Sequence, residues 1–254
     1  MLYHYTSVQT LALILKTKAI RFNKLSKVND PRDGCPLNQE MNEQIFVSCW
    51  IRRSKDSIPM WKLYAGLDGV RIGLPEDMFT THPTKLPNHE IEVDGQKKQI
   101  KQRVITDILR GPHIKKNFET AAPIHYGPKY QKAILYGPDD INYQPDDLRH
   151  VHYTVLKSDE FHKVGLKKHA DWAFEQEVRF RIPAGSLVTQ KPQQTLKVDG
   201  DYIDVGLKEE AFKNIEILTG PANSTANLII AKALLRDHEI GGEPQKSKIQ
   251  IRDY

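Results

Sequence analysis

A chain of 254 residues with 39% hydrophobic residues and a mean hydropathy of −0.55 has the size of one large domain able to bury a sizeable core. Its formal net charge of +5 favours anionic partners such as nucleic acid, nucleotides or acidic protein surfaces. The densest apolar run, Leu11 to Leu15, is far short of the ~20 residues a membrane span needs, no secretory signal opens the chain, and Cys35 and Cys49 make neither a disulfide framework nor a zinc cage, so a cytoplasmic protein with no membrane partner is expected.

Leu2 to Tyr5 reads as a short strand, and Thr6 forms a capping box with Gln9 that opens a helix over residues 7–17. Val8, Leu11, Ile14 and Leu15 give that helix its apolar stripe. Ala19 to Phe22 alternates as a second strand, and residues 28–38, with Asn29-Asp30-Pro31 and Gly34, form a loop. Gln44 to Trp50 is a buried strand. Ser57-Ile58-Pro59 starts a short helix, Met60 to Ala65, which Gly66 stops, and Val70 to Leu74 is the next strand. Residues 75–95 read as a proline- and histidine-rich loop, and Lys97 to Leu109 as a basic helix. Between Lys97 and Lys116 lie Lys98, Lys101, Arg103, Arg110 and Lys115, with only Asp107 opposing them.

Short strands then recur within 121–147 and at His150 to Leu156, Val178 to Ile182, Tyr202 to Val205 and Ile215 to Leu218. A helix runs from Ser224 to His238, and Ile249 to Arg252 closes the sheet. Many short strands with few helices predict an α+β protein with twisted mixed and antiparallel sheets, a single domain over 1–254. No G-x-G-x-x-G follows a strand and no G-x-x-x-x-G-K-[ST] occurs, which argues against Rossmann and P-loop sites.

Several clusters have both a structural and a chemical reading. His4 either packs in a sheet and bonds a carbonyl, or stands beside a helix N-terminus where backbone N–H groups favour a phosphate or ribose oxygen. Glu175, Glu177, Arg179 and Arg181 alternate with Gln176, Val178 and Phe180, so a strand would set two carboxylates and two guanidinia on one face. That face is either solvated or, with Trp172 and Phe174 just before it, part of a sugar or base site. Cys49, within Phe46-Val47-Ser48-Cys49-Trp50, reads better as an inert buried thiol than as a nucleophile. His150-x-His152 has no third ligand at a recognisable spacing, so no metal is expected. Lys97, Lys98, Lys101 and Arg103 line either a solvated helix or a contact for nucleic acid or a partner.

In this order the pieces resemble the family known as domain of unknown function 2971. The resemblance rests on Leu2-Tyr3-His4-Tyr5-Thr6-Ser7, Val28-Asn29-Asp30-Pro31, Phe46-Val47-Ser48-Cys49-Trp50, Ser57-Ile58-Pro59-Met60-Trp61 with Tyr64, and Lys168, Trp172, Glu175-x-Glu177, Arg179 and Gly220. It covers most of residues 1–235. An aromatic and an acid usually follow Asn-Asp-Pro, and Arg32-Asp33 stands there instead. Residues 80–120 are a poorly matched insertion.

The opening and the late E-x-E pair are also similar to ADP-ribosyltransferases, including DNA-modifying toxins and tRNA 2′-phosphotransferases. That similarity implies an ADP-ribosyltransferase-like core with an inserted basic helical segment, and NAD as substrate. Glu177 would be the catalytic carboxylate and Glu175 the acceptor-side acid or base. His4, Tyr5 and Thr6 would hold the ribose, Tyr64 or Trp61 would stack on nicotinamide, Ser48 would line the site, and Arg179 or an arginine near Asp30 would meet the pyrophosphate. Cleavage of the nicotinamide–ribose bond passes through an oxocarbenium-like state that a fixed carboxylate stabilises. The leading expectation is thus transfer of ADP-ribose to RNA, DNA or protein, as a toxin or phage-defence effector that an antitoxin or regulatory protein restrains. A non-catalytic nucleic-acid- or protein-binding module of the same fold, and a metal-dependent nuclease built on Asp30, Glu175 and Glu177, are the alternatives.

Overall fold

Val70, Ile72 and Leu74 alternate along Val70–Leu74 and give that segment one water-avoiding face, against which Leu2, His4 and Thr6 of Leu2–Thr6 stand in register. The two segments pair antiparallel along their whole length, from Leu2 opposite Leu74 to Thr6 opposite Val70. The computed structural model describes residues 1–34, 39–84, 89–93, 96–105, 107–110, 113–115, 133–144, 163–183, 197–222 and 225–252. Its strands in chain order are β1 (Leu2–Thr6), β2 (Ala19–Lys24), β3 (Ile45–Ile51), β4 (Val70–Leu74), β5 (Thr81–Pro83), β6 (His89–Val93), β7 (Gln96–Ile100), β8 (Gln102–Ile105) and β9 (Ile108–Arg110). These continue with β10 (His113–Lys115), β11 (Ala133–Asp140), β12 (Asn142–Gln144), β13 (Lys167–His169), β14 (Glu177–Pro183), β15 (Lys197–Asp199), β16 (Tyr202–Gly206), β17 (Glu216–Thr219) and β18 (Gln245–Lys246). The helices are α1 (Val8–Thr17), α2 (Gln39–Asn42), α3 (Ile58–Met60, continuing as a wider turn through Trp61–Ala65), α4 (Glu209–Lys213) and α5 (Thr225–Asp237).

This is a mixed α+β architecture dominated by one large sheet. Twelve strands join in the order β18-β17-β4-β1-β3-β14-β11-β8-β5, with β2, β16 and β9 attached through β2 to β3. One face of the sheet, carrying Leu2, Trp50, Ile72, Val178 and Phe180, forms the main core with Leu11, Ile14 and Leu15 of α1 and Ala231 and Leu235 of α5. The opposite face carries Tyr3, Tyr5, Arg71, Ile51, Glu177 and Arg179, brought side by side by register: Tyr5 opposite Arg71, Tyr3 opposite Ile51, Ile51 opposite Glu177 and Cys49 opposite Arg179. Among the described residues no helix is long and apolar enough to cross a membrane.

Four expectations change. Lys97 to Leu109 is not helical: Gln96–Ile100 is a strand paired antiparallel with His89–Val93, followed by β8 and β9. The sequence has Asp94-Gly95 between Val93 and its partner Gln96, a dipeptide that favours a two-residue hairpin connection, and the register puts Glu92 opposite Lys97. Residues 75–95 therefore include strands β5 and β6 rather than loop alone. Ser7, not Thr6, caps α1: Thr6 keeps its ladder position opposite Val70, while Ser7 Oγ accepts from the Thr10 backbone N–H at 3.1 Å. Among the described residues the last strand is Gln245–Lys246, parallel to β17, rather than 249–252. The His150 to Leu156 segment, with His150 and His152, lies outside the described residues.

Phe180 tests the core directly. It is fully buried and meets the Phe79 ring edge-on with centroids 5.2 Å apart. Phe180→Ala should cost about 3–5 kcal/mol in chemical denaturation, since the site is enclosed on the sheet and cannot collapse freely.

Candidate functional site

The site begins with a shortage of pairing along one edge of β3. On one side β3 pairs with β14 along its whole length, from Ile45 opposite Pro183 to Ile51 opposite Glu177. On the other it meets β2 only at Phe46 and Val47, and β1 only at Ile51. β1 and β2 are linked through α1, so Ser48, Cys49 and Trp50 face a fork between them. A cleft of about 320 Å³ opens there, lined by Tyr3, His4, Tyr5, Ser48 and Cys49 together with Arg21, Asn29, Tyr64, Lys168, Glu175, Glu177 and Arg179. The N-terminal strand and the late acidic pair thus share one cleft.

His4 sits at the fork with its ring 5.3 Å from the Trp50 ring and its Nδ1 2.8 Å from the Cys49 carbonyl oxygen. Burial lowers its pKa, against the raising effect of that carbonyl. A neutral ring facing an acceptor through Nδ1 carries its proton on that atom, which leaves Nε2 as an acceptor. Ser48 is buried, and its Oγ accepts from the Trp50 indole at 2.9 Å.

The opposite wall is a buried ion network. The Arg179 guanidinium is fully buried and donates through all five N–H groups. Nε and Nη2 reach the two Glu177 oxygens at 2.6 and 2.8 Å, Nη1 and Nη2 reach the two Asp33 oxygens at 3.0 and 2.8 Å, and Nη1 also reaches the Gly165 carbonyl at 3.0 Å. Lys168, buried beside it, bridges Glu175 at 2.6 Å and Glu177 at 3.3 Å, with the Trp172 ring 4.7 Å from its ammonium. Tyr64 donates to Glu175 Oε1 and accepts from Asn29 Nδ2 at 3.0 Å, tying the loop after β2 to the turn before β14.

Within this network the two glutamates diverge. Burial opposes ionisation of Glu177, but Arg179 and then Lys168 outweigh it and hold its carboxyl at about 2. Burial prevails at Glu175 and raises its pKa despite Lys168 and Tyr64. Two neighbouring carboxyls pushed in opposite directions are the arrangement that separates a fixed anion from a proton-transfer group. Burial, followed by Glu177, pushes the Cys49 thiol well up, in keeping with an inert thiol.

The fold reassigns several residues. Glu175 does not belong to the late strand: it ends a tight helical turn, Ala170–Glu175, and Gln176 takes a left-handed conformation with φ 49° before β14 starts at Glu177. The two carboxylates converge on Lys168 through that kink rather than by strand alternation. Glu177, Arg179 and Arg181 do share one face, yet none is solvated. All five Arg179 donors are taken within the wall, which leaves none for a pyrophosphate. Thr6 is buried and is not among the lining residues. Trp61 is fully buried, donates to Asp56 at 2.9 Å and meets the Tyr5 ring edge-on, so it offers no face to a ligand. Lys97, Lys98 and Lys101 are exposed and outside the cleft, while Arg103 is half-buried and donates to the Gly137 carbonyl at 2.9 Å.

Asp30 does not reach the cleft: it accepts from the Arg32 backbone N–H at 2.9 Å. The positions between the carboxylates that a nuclease would fill with metal hold Lys168 and Arg179. Among the described residues no group of three or more His, Cys, Asp or Glu side chains could hold a metal ion. Asp33, Lys168 and Asn29 join the site through contacts that the linear sequence does not reveal. The one available hint was the unusual Arg32-Asp33 after Asn-Asp-Pro, which keeps an acid at a position where one is common.

No known family model, curated protein or solved structure matches the chain.

The depressed Glu177 pKa makes a stability prediction. A carboxyl at about 2 in the folded protein against an ordinary 4.5 contributes about 3 kcal/mol that is fully present above pH 4.5 and lost as pH falls through 2. Urea denaturation at pH 6, 4, 3 and 2 should show that loss, and Glu177→Gln should flatten the profile over the same window. A difference between the wild-type and Glu177→Gln profiles that stays constant from pH 6 to 2 would contradict the depressed Glu177 carboxyl.

Proposed function

We propose that this cleft binds NAD and that the chain is an ADP-ribosyltransferase, related to the family of domain of unknown function 2971 that its motifs resemble. The observation that carries the reading is the convergence of His4, Tyr64, Glu175 and Glu177 on one cleft, with Glu177 ionised and Glu175 the easier of the two to protonate. In the proposed reaction the C–N bond between ribose and nicotinamide breaks with its electron pair leaving on nicotinamide. The positive charge on the ribose ring is stabilised by the Glu177 carboxylate, which is already oriented by Arg179 and needs no reorganisation. An acceptor oxygen or nitrogen then attacks the ribose carbon, and its proton passes to Glu175.

His4 Nε2 accepts a ribose hydroxyl, Tyr5 and Ser48 shape the wall, and the half-exposed Tyr64 ring is the aromatic surface for nicotinamide. Exposed Lys97 and Lys98 on the β6–β7 hairpin favour a polyanionic acceptor, RNA or DNA, over protein. An effector of this kind, acting as a toxin or in defence against phage, requires a neutralising partner in its own cell.

Labelled NAD incubated with the protein and separate pools of RNA, DNA and protein should transfer label to one pool. Glu177→Gln should retain under about 1% of that activity, a loss of about 3 kcal/mol or more of barrier stabilisation, while remaining folded by circular dichroism. Absence of transfer, of NAD hydrolysis and of an NAD-dependent thermal shift would together overturn the reading. Salt-sensitive nucleic-acid binding that persists in Glu177→Gln without any NAD turnover would point to a binding module instead.

A further inference from the structure

Arg71 stands apart from the cations of the cleft. Its side chain is 7% exposed, yet among the described residues no carboxylate forms an ion pair with it. Nη1 donates to the Ser54 carbonyl at 2.6 Å, and Nε has no hydrogen-bond partner. The guanidinium carbon lies 4.4 Å from the Tyr3 ring centroid and 5.9 Å from that of Tyr5. Aromatic faces favour a cation, but they do not replace a counter-charge for one removed from water.

Beside it a second cavity of about 370 Å³ opens, lined by Arg71, Gly73, Tyr3, Lys213, Glu216 and Gly242 among others. Gly73 stands opposite Tyr3 on one side and Glu216 on the other, on the same sheet face as Arg71. Having no side chain, it lets the Tyr3 ring and the Glu216 side chain lie over the strand: a Cβ there would come within 2.9 and 3.1 Å of them. Gly241 and Gly242 close one side with exposed backbone, and a Cβ on either would meet nothing within 4 Å.

We propose that this second cavity binds a small anion, a carboxylate or a phosphate group, with Arg71 as its counter-charge. The planar fork of Arg71, backed by Tyr3, supplies the flat donor set that pairs with two oxygens of such a group. Lys213 at the rim adds a second cation, and exposed Glu216 accepts from a hydroxyl or ammonium on the same ligand while weakening the hold on a bare anion. Tyr3 also lines the first cleft, so one ring is the wall between the two sites. The proposal does not depend on the reaction assigned to that cleft.

Sodium phosphate and sodium acetate, each titrated against chloride at constant ionic strength, provide the test by thermal shift. ³¹P and ¹³C line broadening report occupancy directly. At least one anion should stabilise the wild-type protein saturably. Arg71→Lys keeps the charge but loses the fork, and should weaken binding at least about tenfold. Glu216→Gln, a change at an exposed position, should tighten it severalfold. Saturation by phosphate alone or by acetate alone identifies which anion the site takes, and either supports it. No saturable effect beyond chloride overturns the proposal, as do wild-type affinities in both variants. If Arg71→Lys does not fold, the Glu216→Gln comparison decides alone.

Discussion

The candidate site depends on one buried guanidinium. Removing Arg179 from water is tolerable only because every one of its N–H groups has an acceptor, four of the five contacts going to the oxygens of two carboxylates and the fifth to a main-chain carbonyl. That requirement fixes Asp33 from a loop near the N-terminus, Gly165 from a late loop and Glu177 from the same strand in one geometry. Lys168 extends the network to Glu175, and Tyr64 extends it to Asn29. Three carboxylates crowd two cations in this wall, and Arg179 and Lys168 hold Glu177 ionised at neutral pH while burial pushes Asp33 and Glu175 toward protonation.

The fork in the sheet gives that wall something to face. Had β1 and β2 both paired with β3 along its length, the sheet would be continuous and the network would lie beneath a closed surface. Their separate docking at the two ends of β3 opens the central residues, and His4 closes only part of the gap through its bond to Cys49. The same face continues past Tyr3 to Arg71, so a single sheet surface carries two cavities of different chemistry. One holds the buried Lys168 and Arg179 paired with carboxylates, and the other presents a buried cation, Arg71, with no carboxylate partner among the described residues.

Local patterns in the sequence were enough for much of this. Alternation and capping located β1, α1, β2, β3, β4, β14, β17 and α5 to within a few residues, because each has a dominant apolar face and clear end signals. The basic segment reads as a helix because its lysines mimic a solvated helical face, whereas Ile91, Val93, Ile100, Val104 and Ile105 carry a strand preference and the Asp94-Gly95 dipeptide a hairpin-turn preference. At the site, the pairing of His4 with Glu177 was legible as a pair of chemistry-bearing segments. The role of Arg179 was not, since it depends on Asp33, 146 residues away, and no spacing rule reaches that far. Trp61 and Thr6 look like ligand contacts in the linear motif and turn inward only when neighbouring strands and Asp56 are in place.

The distance between Asp33 and Arg179 also orders the assembly of the molecule during synthesis. A ribosome delivers β1, β2 and β3 long before β14, and β14 is the central strand that pairs with β3 on one side and β11 on the other. Until it inserts, Asp33 has no guanidinium to accompany it inward, and the cleft lacks its charged wall. Formation of the site therefore waits on contacts of high sequence separation, which close late in folding. A nascent chain shorter than about residue 180 is chemically incomplete at this site, whatever reaction the finished protein performs.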